Sequence, residues 1–84
     1  MINHNLTRII DHILSITAEM RLAGDVIQID EDSCTIRVIF INLKKLDTFF
    51  KKIDLLKIRD NSFLEIWEDN VDDLVHDVFL KIIV

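Results

Sequence analysis

Eighty-four residues with a formal charge of −5 and one cysteine fit a single domain over residues 1–84 and leave no room for a second core, an intrachain disulfide or a cysteine-built zinc site. The acidic balance supplies no basic field for counterion release, so nucleic acid is not an expected partner. Half of the residues are apolar, yet the longest runs, such as Val38 to Ile41, fall far short of the roughly 20 residues of a membrane span. The first residues also lack a signal peptide's basic start and apolar centre.

A lone thiol fits a reducing, cytoplasmic setting. With no proline and one glycine, the chain has no sign of a linker or low-complexity tail. So many apolar residues in so short a chain predict a contiguous exposed patch, the usual mark of a partner surface. Self-association is the simplest form of that expectation, since two-fold dimers are the commonest oligomers.

The first segment, Asn3 to Ala23, reads as a helix. Ile2, Leu6, Ile9, Ile10, Ile13, Ile16, Thr17 and Met20 recur at three- and four-residue steps and so share one stripe. Asn3 or Asn5 caps its start, and Gly24 stands where a helix needs positive φ to stop. Next comes a β-hairpin. Val26 to Ile29 and Cys34 to Ile41 are rich in β-branched residues and flank the polar turn Asp30-Glu31-Asp32-Ser33. Cys34, Ile36, Val38 and Phe40 share one face of the second strand. A two-stranded hairpin is marginal by itself, and its free edge invites another chain.

Asn42 then caps a second helix, about Leu43 to Ile58, with Leu43, Leu46, Phe49, Phe50, Ile53 and Leu56 inward and Lys44, Lys45, Lys51 and Lys52 outward. Ser62-Phe63-Leu64-Glu65 matches a capping box. From there Leu64, Trp67, Val71, Leu74, Val75, Val78, Phe79 and Ile82 keep helical spacing to the end, which favours one long third helix with a weak point at Asp69-Asn70. A strand over Phe63 to Trp67, and a terminal strand over Val78 to Val84, are the less favoured alternatives. The expected fold is therefore α+β in the order α-β-β-α-α, a hairpin packed against three amphipathic helices. Its expected core contains Ile9, Ile13, Ile36, Val38, Phe40, Phe49, Ile53, Trp67, Leu74 and Val78.

Two surfaces of that third helix stand out. One is apolar: Trp67, Val71, Val78, Phe79, Ile82 and Ile83, with Trp67 the best candidate for a binding hot spot. The other is acidic: Glu65, Glu68, Asp69, Asp72, Asp73 and Asp77, which also fits an ordinary solvated helix face. Asp72, Asp73, His76 and Asp77 have the spacing of half a divalent-metal site, but no further ligands are evident, so no metal or cofactor is expected.

Cys34 lies on an apolar strand face, where a thiol is inert. Ser15 and Ser62 have no evident base, and one glycine cannot build a phosphate-cradling loop. The sequence thus reads as a non-enzymatic protein-binding module, a homodimer with a regulatory or inhibitory role. The second reading is an acidic inhibitor of the phage or mobile-element type that mimics nucleic acid and blocks a nucleic-acid enzyme.

Overall fold

The computed structural model describes residues 2–41, 43–60, 63–70 and 75–84, and the side chains within them other than 43, 54–60, 63–64 and 69–70. Two α-β-β units follow one another: α1 (His4–Glu19), β1 (Ala23–Ile29) and β2 (Ser33–Phe40), then α2 (Leu43–Asp60), β3 (Phe63–Asn70) and β4 (His76–Ile83). The four strands form one antiparallel sheet in the order β1-β2-β4-β3. The second strand of each hairpin is therefore central and the first is an edge.

α1 begins at Asn3, whose side chain accepts from the Asn5 amide at 2.8 Å. This places one of the unpaired amides of the first turn. The Asn3 amide in turn donates to the Glu31 carbonyl at 2.8 Å, fixing the helix start to the first hairpin turn. The apolar stripe is inward as the spacing predicts: Leu6, Ile9, Ile10, Ile13, Ile16 and Thr17 are buried.

The helix stops earlier than expected, and not at Gly24. Leu22 N–H donates to the Thr17 carbonyl at 2.8 Å and Arg21 N–H to that of Ala18 at 3.1 Å. This is a Schellman closure, with Arg21 in the left-handed position at φ 57°. Gly24 instead lies in β1 with negative φ, where an added Cβ would stand 3.1 Å from Thr17 Oγ1. Its role is to let α1 lie close on the sheet. Because left-handed backbone costs a residue with a Cβ roughly 1 kcal/mol, Arg21→Gly is expected to stabilise the protein by about 0.5–1 kcal/mol, seen as a higher urea midpoint.

α2 packs beside α1 on the same side of the sheet. Lys45 Nζ donates to the Met20 carbonyl at the α1 C-terminus at 2.9 Å, and Lys52 pairs with Glu19 at 3.2 Å. Part of the lysine face expected to be outward thus ties the two helices together, with the Lys45 cation at the negative end of α1. Phe49 and Ile53 are fully buried. Phe49 meets Phe40 of β2 edge-on, with centroids 5.2 Å apart.

The last third of the chain corrects the sequence-based order. Residues 63–70 and 76–83 are two strands, not one long helix. The helical spacing from Leu64 to Ile82 coincides with a second pattern of period two, in which Val78, Leu80 and Ile82 alternate with Asp77, Phe79 and Lys81. Tertiary pairing decides between the two. β4 lies along the open side of β2 with Val38 opposite Val78, Ile36 opposite Leu80 and Cys34 opposite Ile82, all six buried in the core. A third helix would leave β1 and β2 as a marginal two-stranded ribbon.

Of the expected core, Ile9, Ile13, Ile36, Val38, Phe40, Phe49, Ile53 and Val78 are buried, whereas Trp67 is exposed. The expected weak point at Asp69-Asn70 is the end of β3, while Leu74 and the caps at Asn42 and Ser62 lie outside the described residues.

Candidate interaction surface

Alternation divides the sheet into two faces. The even-numbered residues of β2 and β4 point to the helices. The odd-numbered ones point to the opposite, open face, where Thr35 and Asp77 are nonetheless buried and Arg37, Ile39, Phe79 and Lys81 are half-buried. Reading the pairing across this open face gives two central rows: Asp25–Arg37–Phe79–Trp67, and Gln28–Thr35–Lys81–Glu65. Ile39 and Asp77 lie opposite each other beyond the first row, and Ser33 and Ile83 beyond the second.

At the centre of this face Trp67 and Phe79 stack with centroids 5.4 Å apart and planes 8° from parallel. Trp67 remains 41% exposed and Ile83 38%. The apolar character continues past Ile39 to Ile41, which is 77% exposed. There a shallow depression of about 260 Å³ is lined by Leu22, Ala23, Ile39, Ile41, Arg21 and Lys45. It is smaller than the roughly 300–1,000 Å³ of a typical ligand pocket.

Beside the aromatic pair lies an ion pair. Arg37 Nη2 donates to Asp77 Oδ2 at 2.6 Å, and the Asp77 side chain is only 7% exposed. The pair is incompletely satisfied: Arg37 Nε and Asp77 Oδ1 are buried without a hydrogen-bond partner. Such orphaned groups cost about 1–3 kcal/mol each, so this spot on the sheet is polar and energetically exacting.

The expected apolar surface is divided by the strand geometry. Trp67, Phe79 and Ile83 share the open face. Val78 and Ile82 point the other way and are core residues. Val71 lies outside the described residues. The expected acidic helix face does not form, because there is no helix to carry it. Glu65 stands on the open face opposite Lys81, while Glu68 projects from the other side of β3 and contacts His76 Nδ1. Asp77 is buried against Arg37. Asp72 and Asp73, and the side chain of Asp69, are outside what is described.

The alternation of the second strand puts Thr35, Arg37, Ile39 and Ile41 on one face and predicts that part of it is covered, but it gives Lys81 no place beside them. The signal was present in the polar–apolar alternation of both central strands, but only the pairing of β2 with β4 brings Lys81 onto the same plane.

Among the described residues no group of three or more histidine, cysteine, aspartate or glutamate side chains is placed to hold a metal ion. Cys34 lies in the core, and burial pushes its thiol up to about 11, so almost no nucleophilic thiolate is present at neutral pH. No helix among the described residues is long and apolar enough to cross a membrane. The chain matches no protein-family model, and no curated protein matches it significantly.

Proposed function

We propose that this protein is a non-enzymatic protein-binding module, assembling as a homodimer in a regulatory or inhibitory role in the cytoplasm, and that the open sheet face is its binding surface. The observation that carries this reading is the stacked Trp67–Phe79 pair, carried on two paired strands yet left half-uncovered. A preordered aromatic platform loses little conformational entropy on binding, and tryptophan is the residue type most enriched at binding hot spots. The inert environment of the only thiol supports the non-enzymatic part and fits a reducing compartment.

Among the described acidic residues, Glu65 and Glu68 lie on opposite faces of β3 and Asp77 is held in an internal ion pair, which favours this reading over a nucleic-acid mimic, since that needs a continuous acidic surface. Sedimentation equilibrium from low to high micromolar concentration tests the dimer. Trp67→Ala is expected to weaken self-association by about 30-fold, corresponding to a hot spot of about 2 kcal/mol, with only a modest loss of stability because the side chain is partly solvated. A strict monomer at high micromolar concentration, or a dimer indifferent to Trp67→Ala, would count against it.

A further inference from the structure

We propose that the outer edge of β1 is a second binding surface. It takes the extended C-terminal tail of a partner protein as an added antiparallel strand, with the terminal carboxylate at Arg21 and Lys45. This goes beyond the open-face reading and depends on neither Trp67 nor Phe79. Within the sheet β1 is an edge strand that pairs with β2 alone. Alternate residues of such a strand direct their amide and carbonyl groups outward, where they template another extended chain. The side chains along this edge are apolar and uncovered, since Val26, Ile27 and Ile29 are all exposed. Neither proline nor lysine, two usual guards of an edge, occurs in Ala23–Ile29.

The shape of the edge selects a flexible occupant. The register of β1 shifts between Val26 and Gln28, and a bulge of this kind bends and twists its strand. The edge of a second folded copy is bent in the same way and fits poorly along it, which is how bulges discourage pairing between folded sheets. An unfolded tail follows the bend and orders as it binds.

Charge sets the direction of that tail, because β1 runs from a cationic end to an anionic one. At its start the depression of about 260 Å³ is walled by Leu22, Ala23, Ile39 and Ile41 and carries Arg21 and Lys45. Arg21 is exposed, and Lys45 donates to the Met20 carbonyl at 2.9 Å with further donors to give. Arg21 holds a left-handed conformation in which glycine is less strained, and glycine there would take the guanidinium away from the depression. At the other end of the strand Asp30 accepts from Ser33 Oγ at 3.5 Å and Asp32 from Asn3 Nδ2 at 3.4 Å. Both donors are neutral, so they leave the two charges uncompensated.

A chain laid antiparallel on β1 ends at Arg21. Its carboxylate meets two cations, and its last side chain enters the apolar depression. A lysine or arginine about seven residues upstream, roughly 24 Å along an extended chain, reaches Asp30 and Asp32. A parallel chain reverses both matches and brings its carboxylate toward the acidic turn. The ligand is therefore an apolar C-terminal tail that is basic upstream.

The probe is a synthetic peptide as long as β1, fluorescently labelled at its N-terminus, with lysines first, valine and threonine alternating, and isoleucine last with a free carboxylate. Its binding to the full chain is read by anisotropy and is expected to saturate in the micromolar range. Amidating its C-terminus is expected to weaken binding about 5- to 10-fold. Arg21→Gly, which keeps the fold, should weaken the free-acid peptide by a similar factor and narrow the gap between acid and amide. Two successive central prolines, one of which must fall on a ladder position, should weaken binding about 10-fold or more.

Equal binding of acid and amide to the unaltered chain overturns the carboxylate site. Undiminished binding of the proline peptide overturns the strand pairing, and no saturation up to millimolar peptide overturns the whole proposal. Trp67→Ala is expected to leave peptide affinity unchanged while it weakens self-association, so the edge and the open face stand or fall separately. A dimer that survives Trp67→Ala and is dispersed by the peptide assigns the edge to a second copy and overturns the partner tail.

Discussion

Replacing Arg37 by methionine is expected to cost about 3 kcal/mol, among the largest single effects in this protein. The Asp77 carboxylate beside it is 7% exposed and accepts a hydrogen bond from Arg37 Nη2 at 2.6 Å, while Asp77 Oδ1 has no partner among the described residues. Removing the guanidinium leaves a buried charge uncompensated, which typically costs about 3–5 kcal/mol; the lower end applies because the Arg37 side chain is 41% exposed and water can reach the gap. The double change Arg37→Met with Asp77→Leu should recover most of the loss, since an apolar pair needs no hydrogen bonds and the orphaned atoms disappear. Urea unfolding of the two single variants and the double variant measures this as a cycle. A double variant as unstable as Arg37→Met alone would show that the ion pair contributes something other than mutual compensation.

Phe49→Ala is the second large effect, with an expected loss of about 3–5 kcal/mol. Phe49 is fully buried and joins α2 to the sheet through its edge-on contact with Phe40. Ile53 on the next turn is fully buried as well, so the truncation opens a cavity in the packed core rather than at the surface. A domain of this size has a total stability of about 4–13 kcal/mol, so the variant should lose much or all of its cooperative unfolding transition. Thermal denaturation followed by circular dichroism reads this directly. Retention of the wild-type midpoint would mean that α2 is not held by this contact.

Much of the fold was legible in the first half of the chain. α1 was visible because its apolar stripe has one period only, and no strand pattern competes with it. β1 and β2 were visible because β-branched residues flank a four-residue acidic turn. In the second half two periods overlap. Leu64, Trp67, Val71, Leu74, Val78 and Ile82 satisfy a helix, and Val78, Leu80 and Ile82 against Asp77 and Lys81 satisfy a strand. The polar run Asp69-Asn70-Val71-Asp72-Asp73 was the clue that weighed the other way, since aspartate and asparagine favour turns over helix interiors. The order α-β-β of the first half, repeated, describes the second.

The surface suffered more than the core from that ambiguity. Val78 and Ile82 were assigned to a partner surface with Trp67, Phe79 and Ile83. On a helix all five share one side, but on strands they divide between core and open face. Trp67 was expected both in the core and at a partner surface, and only the second of these placements is compatible with its 41% exposure.

What the sequence by itself determined is the composition of the core and the inertness of its thiol: apolar periodicity and burial are local consequences of which residues stand where. The chain's composition also predicts exposed apolar residues, and Ile27, Ile41 and Trp67 are among those that stand exposed. Where those residues lie was decided only by tertiary structure. The antiparallel pairing of β2 with β4 turns two separate hairpins into one plane, and strand alternation then sends Trp67, Phe79, Arg37 and Lys81 to the same side of it. Pairing between strands about forty residues apart is a property of the whole chain's packing, and no local pattern specifies it.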